Sequence, residues 1–141
     1  MFELVYRSKA IDEIKEQDIV NILAISRKFN AENEITGCLI FFNNRFIQIL
    51  EGNKNKIQEL YTKIQKDKRH SNVQLLSQGD KVKRIFIGWS MAFYKFESEK
   101  SLTITKQLFI KNLITFSETR IQSSEGSTLF WKNVKTLLKK M

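Results

Sequence analysis

Ile35-Thr36-Gly37-Cys38-Leu39-Ile40-Phe41-Phe42-Asn43-Asn44-Arg45-Phe46-Ile47-Gln48-Ile49-Leu50-Glu51-Gly52 is the stretch that decides the fold. Two runs, 35–42 and 45–51, are rich in β-branched and aromatic residues, and an Asn-Asn pair joins them. Asparagine tolerates the positive φ of a tight turn, so the runs close into an antiparallel hairpin. Towards the N-terminus, residues 2–8 alternate, with Phe2, Leu4 and Tyr6 on one face and Glu3, Val5 and Arg7 on the other, which predicts a strand. Between that strand and the hairpin, Val20, Leu23, Ala24 and Arg27, flanked by Ile19 and Ile22, form a broad apolar stripe. A helix over 18–30 follows, with Asp18 as its cap or first-turn acid and the polar stretch Asn30–Glu34 as its end.

Beyond Gly52, Ile57, Leu60, Tyr61 and Ile64 repeat at i, i+3, i+4 and i+7, predicting a second helix that runs to about Lys68. Residues 73–78 and 85–94 read as strands, the latter placing Ile85, Ile87, Trp89, Met91 and Phe93 on one face. Residues 103–117 and 127–140 read as helices, the last with Phe130, Val134, Leu137 and Leu138 in helical register and Ser127 as its cap. The order β-α-β-β-α-β-β-α-α predicts an α+β protein: a ferredoxin-like sheet of five strands with two helices on one face, plus a C-terminal cap of two helices. The core spans 1–97 and the cap 98–141 of one domain, since no proline, repeat or low-complexity linker divides the chain. The second sheet face needs a cover, supplied by the terminal helices or by a second copy in a homo-oligomer.

Composition narrows the function. The 141 residues are 42% hydrophobic and 28% charged, a globular balance with no run near the ~20 apolar residues of a membrane helix. Glu3, Arg7 and Lys9 interrupt the apolar region a signal peptide would need, which makes the cytoplasm the expected location. A single cysteine, Cys38, excludes a disulfide framework and a thiolate zinc site, and a single histidine, His70, excludes a multi-histidine metal centre. No Ser/His/Asp set, paired catalytic carboxylates or glycine-rich phosphate loop can be assembled, so no enzymatic activity is expected. The charge of +9 is unevenly placed, −2 over residues 1–52 and +11 beyond, with basic clusters at Lys54–Lys56, Lys66–Arg69, Lys81–Arg84 and Lys139–Lys140. Such clusters could meet phosphates, but they read first as a solvated, lysine-rich surface.

Certain polar residues do not suit a plain core. Gln48 sits in the middle of Phe46-Ile47-Gln48-Ile49-Leu50, where an unpartnered amide costs about 1–3 kcal/mol. Tyr6 poses the same problem on the first strand. In a β-α-β-β-α-β sheet the first and third strands are adjacent, so the Tyr6 hydroxyl and the Gln48 amide can hydrogen-bond beneath the helices. Ser26 and Asn30 close the first helix, Arg69 and His70 follow the second, and Ile22 and Ile64 can face each other between them. Two aliphatic walls with polar groups at one end describe a slot for a flat heteroaromatic ligand.

These residues resemble the BLUF domain, a flavin-binding blue-light sensor. The matching pieces are Leu4-Val5-Tyr6-Arg7-Ser8, Ser26-Arg27 with Asn30, Ile35-Thr36-Gly37, Phe46 to Gly52, Asp67-Lys68-Arg69-His70 and Trp89-Ser90-Met91, in order from residue 2 to about 95. The last 40 or so residues resemble the helical cap of short BLUF proteins, which carry no output domain. The resemblance implies a noncovalent flavin, FAD first with FMN or riboflavin as alternatives, held by Ile22, Ser26, Asn30, Ile35, Phe46, Lys63, Ile64, Arg69 and His70. It implies that Tyr6 and Gln48 are the photoactive pair, with light-driven electron and proton transfer from Tyr6 to flavin and rearrangement of the Gln48 amide. It further implies that Trp89 and Met91 transmit the change to a downstream protein partner. Three residues depart from the family pattern: Phe29 replaces a common polar residue, Lys63 a frequent arginine, and Glu34 a common glycine. The alternative from the basic charge and fold order is an RNA-binding ferredoxin-like module, which would need exposed aromatics on its two central strands.

Overall fold

A strand pair joined by a two-residue turn is the cheapest nucleus for a sheet, and the 36–52 hairpin lies near the centre of this one. The computed structural model describes residues 1–42, 44–88, 90–96 and 125–139. β2 (Thr36–Phe42) and β3 (Arg45–Gly52) run antiparallel, with Gly37 opposite Leu50 and Leu39 opposite Gln48. Asn44 takes φ +61° at the turn, and its main chain and side chain both bond to Ala10. β1 (Phe2–Ala10) lies antiparallel against β3, setting Tyr6 opposite Gln48 and Glu3 opposite Glu51. β4 (His70–Asp80) flanks β1 and β5 (Ala92–Phe96) runs parallel to β2, giving the order β4-β1-β3-β2-β5.

Alternation along these strands divides the core into two faces. On one, Ile19 and Leu23 of α1 (Glu16–Glu32) and Ile57 and Leu60 of α2 (Lys54–Lys66) pack with Leu4, Tyr6, Leu39, Phe46 and Leu50. α1 opens with the Asp18 carboxylate accepting the Lys15 N–H at 3.0 Å, and α2 opens with Asn53 accepting from Asn55 and Lys56. Asn53 is a cap the apolar periodicity missed, so α2 starts earlier than Ile57. On the other face Val5, Cys38, Ile40, Ile47 and Ile49 are buried, and α3 (Glu125–Lys139) lies across β1, β3 and β4 with Phe130, Trp131 and Val134 inward. The chain itself therefore supplies a cover for that part of the sheet, which removes the reason given above for a second copy there.

Two expectations need correction. Residues 85–88, 90 and 91 are not strand, and the strand read over 85–94 is found as β5 at Ala92–Phe96. The physical reason is that the N–H groups of Ile85 and Phe86 donate to the Glu51 carboxylate, at 2.9 and 2.7 Å, instead of to a neighbouring strand. Gly88, at φ +78°, then turns the chain back. Ser127 is not a cap, because α3 begins at Glu125 and Ser127 is buried within its first turn. The helix expected over 103–117 lies outside the described residues.

Candidate flavin-binding site

The slot follows from helical spacing. Ile22, Ser26 and Phe29 of α1 recur at i, i+4 and i+7, and Leu60, Lys63 and Ile64 of α2 at i, i+3 and i+4, so each set lies along one side of its helix. Together with Tyr6, Leu39, Phe46 and Gln48 from the sheet they line a cavity of about 820 Å³, measured out into the solvent at its mouth. Asp67, Arg69 and His70 complete the lining where α2 gives way to β4.

Tyr6 donates its hydroxyl hydrogen to Gln48 Oε1, and Gln48 Nε2 donates to Met91 Sδ at 3.3 Å. All three residues are buried. A thioether is a weak acceptor, so the amide is firmly held at its oxygen and loosely at its nitrogen. Burial pushes the Tyr6 phenol well above the ordinary tyrosine value, and the nearby Tyr61 and Asp67 push the same way. The phenol therefore keeps its proton across the physiological range. The Tyr61 ring stands 5.6 Å from that of Tyr6.

Asn30 is fully buried; its Nδ2 donates to Ser90 O at 2.9 Å while its Oδ1 has no partner among the described residues. A buried carbonyl oxygen left over in this way fits an N–H donor on a bound ring. His70 Nε2 faces the Ile64 carbonyl, which can only accept, so that nitrogen carries hydrogen, while Nδ1 meets Ser8 Oγ at 2.9 Å. This anchors β4 to α2 at the cavity's edge. The Arg69 guanidinium is bidentate on Asp67, with a shortest contact of 2.7 Å, and these bonds hold the Asp67 carboxyl below the ordinary value of 3.8. Lys63 Nζ sits 4.6 Å from the Phe29 ring centroid and 3.6 Å from Glu59, so two of the positions that depart from the BLUF pattern engage each other.

Of the expected cofactor-holding residues, Ile22, Ser26, Phe46, Lys63, Ile64, Arg69 and His70 line the cavity, as do Tyr6 and Gln48. Asn30 and Ile35 are buried but do not line it. Met91 meets Gln48, whereas Trp89 lies outside the described residues. Sequence reasoning missed Ile25, Leu39 and Leu60 and left Asp67 without a role; Leu39 was recoverable from the hairpin register, which sets it opposite Gln48.

The sequence model of BLUF, described as sensors of blue-light using FAD, matches residues 1–92. The chain belongs to the BLUF family. Among BLUF relatives, photoactivated adenylate cyclase subunit beta of Euglena gracilis is 32% identical over 83 residues, 59% of this chain and 10% of that protein. The blue light- and temperature-regulated antirepressor BluF of Escherichia coli K12 is 33% identical over 70 residues, 50% of this chain and 17% of that protein. The chain thus spans less than a fifth of either relative. Among solved structures, the photo-activated state of BlsA superposes with a TM-score of 0.67 at 29% identity, covering 99% of this chain and 92% of that one. A bacterial light-regulated adenylyl cyclase gives a TM-score of 0.67 at 32% identity, covering 84% of this chain and 34% of that one. Among the described residues no helix is long and apolar enough to cross a membrane.

Proposed function

We propose that this BLUF chain senses blue light through FAD held in the slot between α1 and α2, with Tyr6 and Gln48 as its photoactive pair. The observation that carries this reading is the buried Tyr6–Gln48–Met91 chain beside a cavity with apolar walls. When bound, FAD supplies blue absorption and an excited state able to accept an electron. Ile22, Phe46 and Ile64 offer apolar surface to a flat ring, and Ser26, Asn30, Lys63, Arg69 and His70 offer polar groups around it. FMN or riboflavin would use the same ring contacts.

Tyr6 is the donor. Burial keeps its phenol protonated, so its proton is released only once an electron has been lost. Gln48 is the switch, because an amide has a donor end and an acceptor end on one plane. In the arrangement described, its oxygen accepts from Tyr6 and its nitrogen is spent on a weak acceptor. Turning or tautomerising the amide exchanges those roles and alters what Met91 meets. Met91, with Trp89, would pass the change towards β5 and a downstream protein partner.

The RNA-binding alternative has little to support it. The two central strands, β1 and β3, are covered on both faces and offer no free aromatics, and Lys81 and Arg84 of the basic cluster bond within the protein. The purified protein is expected to be yellow and to absorb reversibly at longer wavelength under blue light. Tyr6→Phe and Gln48→Leu should each retain the flavin and lose the normal red shift, read by absorption spectroscopy before and after illumination. A normal photocycle in both variants would sink the assignment of the pair.

A further inference from the structure

The mechanism above leaves unused a group of buried charges on the opposite face of the sheet. Glu3 and Glu51 are direct partners across β1 and β3, and the Lys81 ammonium lies against both carboxylates, 3.1 Å from Glu3. All three side chains are almost entirely buried. Like charges directly opposite one another weaken a strand pair, and buried charges are tolerated only when closely partnered. Lys81 answers both problems. The remaining oxygen contacts are directional: Glu51 accepts the N–H groups of Ile85 and Phe86 and the Thr36 hydroxyl, while Glu3 accepts the Gly126 N–H at 2.9 Å. Gly126 is in the first turn of α3.

The placement of these contacts suggests a use. Glu51 is three residues beyond Gln48 on β3, so the two side chains emerge from opposite faces of one strand. The connection from β4 to β5 crosses between those faces. At its start Lys81, Ile85 and Phe86 are held by Glu51 beneath α3, where the Phe86 ring lies 6.3 Å from Phe130 and 6.2 Å from Trp131. At its end the carbonyls of Ser90 and Met91 are held by Asn30 and Arg27, and Met91 Sδ by Gln48. One short run of main chain is thus pinned at both ends, one at the photoactive pair and the other at α3.

We propose that the Glu3–Lys81–Glu51 cluster is the coupling that makes the docking of α3 depend on the state of Gln48. Resting on the photosensory reading, the inference adds a route to it: a change in what Met91 meets pulls on the 81–91 connection, the pull reaches Glu51 and Lys81, and Glu3 relays it to the first turn of α3. Lys81 and Glu51 are positioning residues and touch neither the cavity nor the Tyr6–Gln48 pair.

The test uses the full chain carrying its flavin and reads two signals, the light-induced red shift and hydrogen exchange of the 125–139 segment in darkness and under illumination. In the wild type, exchange across 125–139 should rise severalfold in the light. Lys81→Met should keep the red shift and abolish the light–dark difference. Because that variant leaves two carboxylates without their cation and could fail to fold, Gly126→Ala provides a second test. A methyl group there would stand 2.6 Å from the Glu3 carboxylate, so the carboxylate and the first turn of α3 must part and their 2.9 Å contact is broken, while the helix's own propensity improves. It should keep the red shift and show exchange as high in darkness as in light. A normal red shift with light-independent exchange in the wild type, or an undiminished light–dark difference in Gly126→Ala, overturns the coupling and leaves the photosensor standing. Absence of a red shift in the wild type overturns both.

Discussion

At the scale of single residues, the site depends on side chains whose surroundings remove their usual freedom. Asp67 is an example. Its carboxyl is held low chiefly by the Arg69 hydrogen bonds, so the pair stabilises the folded chain fully above the ordinary carboxylate value and loses that contribution as pH falls through the lowered one. Asp67→Asn should therefore be less stable than the wild type at pH 7, and the gap should close on acidification below about 4, measured by urea unfolding at several pH values. A gap that is constant with pH would show that the pair does not hold the mouth of the cavity. Glu34 makes a different point. It sits at φ +54° just before β2, where a side chain costs about 1–2 kcal/mol, and its carbonyl oxygen accepts from Arg84. Glu34→Gly relieves that strain but adds freedom to the unfolded chain, so a net gain of about 0.5–1 kcal/mol is expected, visible as a melting temperature higher by roughly 2–5 °C.

At the scale of elements, the β2–β3 hairpin was legible because every local signal agreed: alternation, β-branched content and the Asn pair. The Tyr6–Gln48 pair was legible for the same reason, since adjacency of β1 and β3 follows from element order alone. The beginning of the strand expected at 85–94 failed because the competing partner is distant in sequence, while its end is found in β5. Ile85 and Phe86 alternate well enough for a strand, yet their N–H groups go to a carboxylate 34 and 35 residues away. Lys81 and Arg84 misled in the same manner: a basic cluster looks like surface until the groups that consume it are located, carboxylates for Lys81 and main-chain carbonyls for Arg84. The hairpin also carries a sharp prediction. A Cβ at Gly37 would stand 2.0 Å from the Ile49 carbonyl oxygen, whereas one at Gly79 on β4 would meet nothing within 4 Å. Gly37→Ala should destabilise by about 3 kcal/mol or more, since main chain on both strands must move, while Gly79→Ala stays within about 0.5 kcal/mol of the wild type by thermal unfolding.

For the molecule as a whole, the sheet separates two regions: the proposed flavin slot on the α1–α2 face, and charge-locked attachment of α3 on the other. What sequence could not show was that the second face is organised around ions and not around aliphatic packing alone, because pairing Glu3 with Glu51 requires the register of β1 on β3. That same register puts Tyr6 opposite Gln48. Sliding β1 by one residue would turn the phenol to the α3 side and bury Glu3 among the leucines beneath α1. No mis-threaded molecule could then display a normal response to light. The colour change consequently doubles as a built-in gauge of correct assembly, readable in crude lysate, and variants can be sorted by whether they fail to fold or fold and fail to signal before any of them is purified.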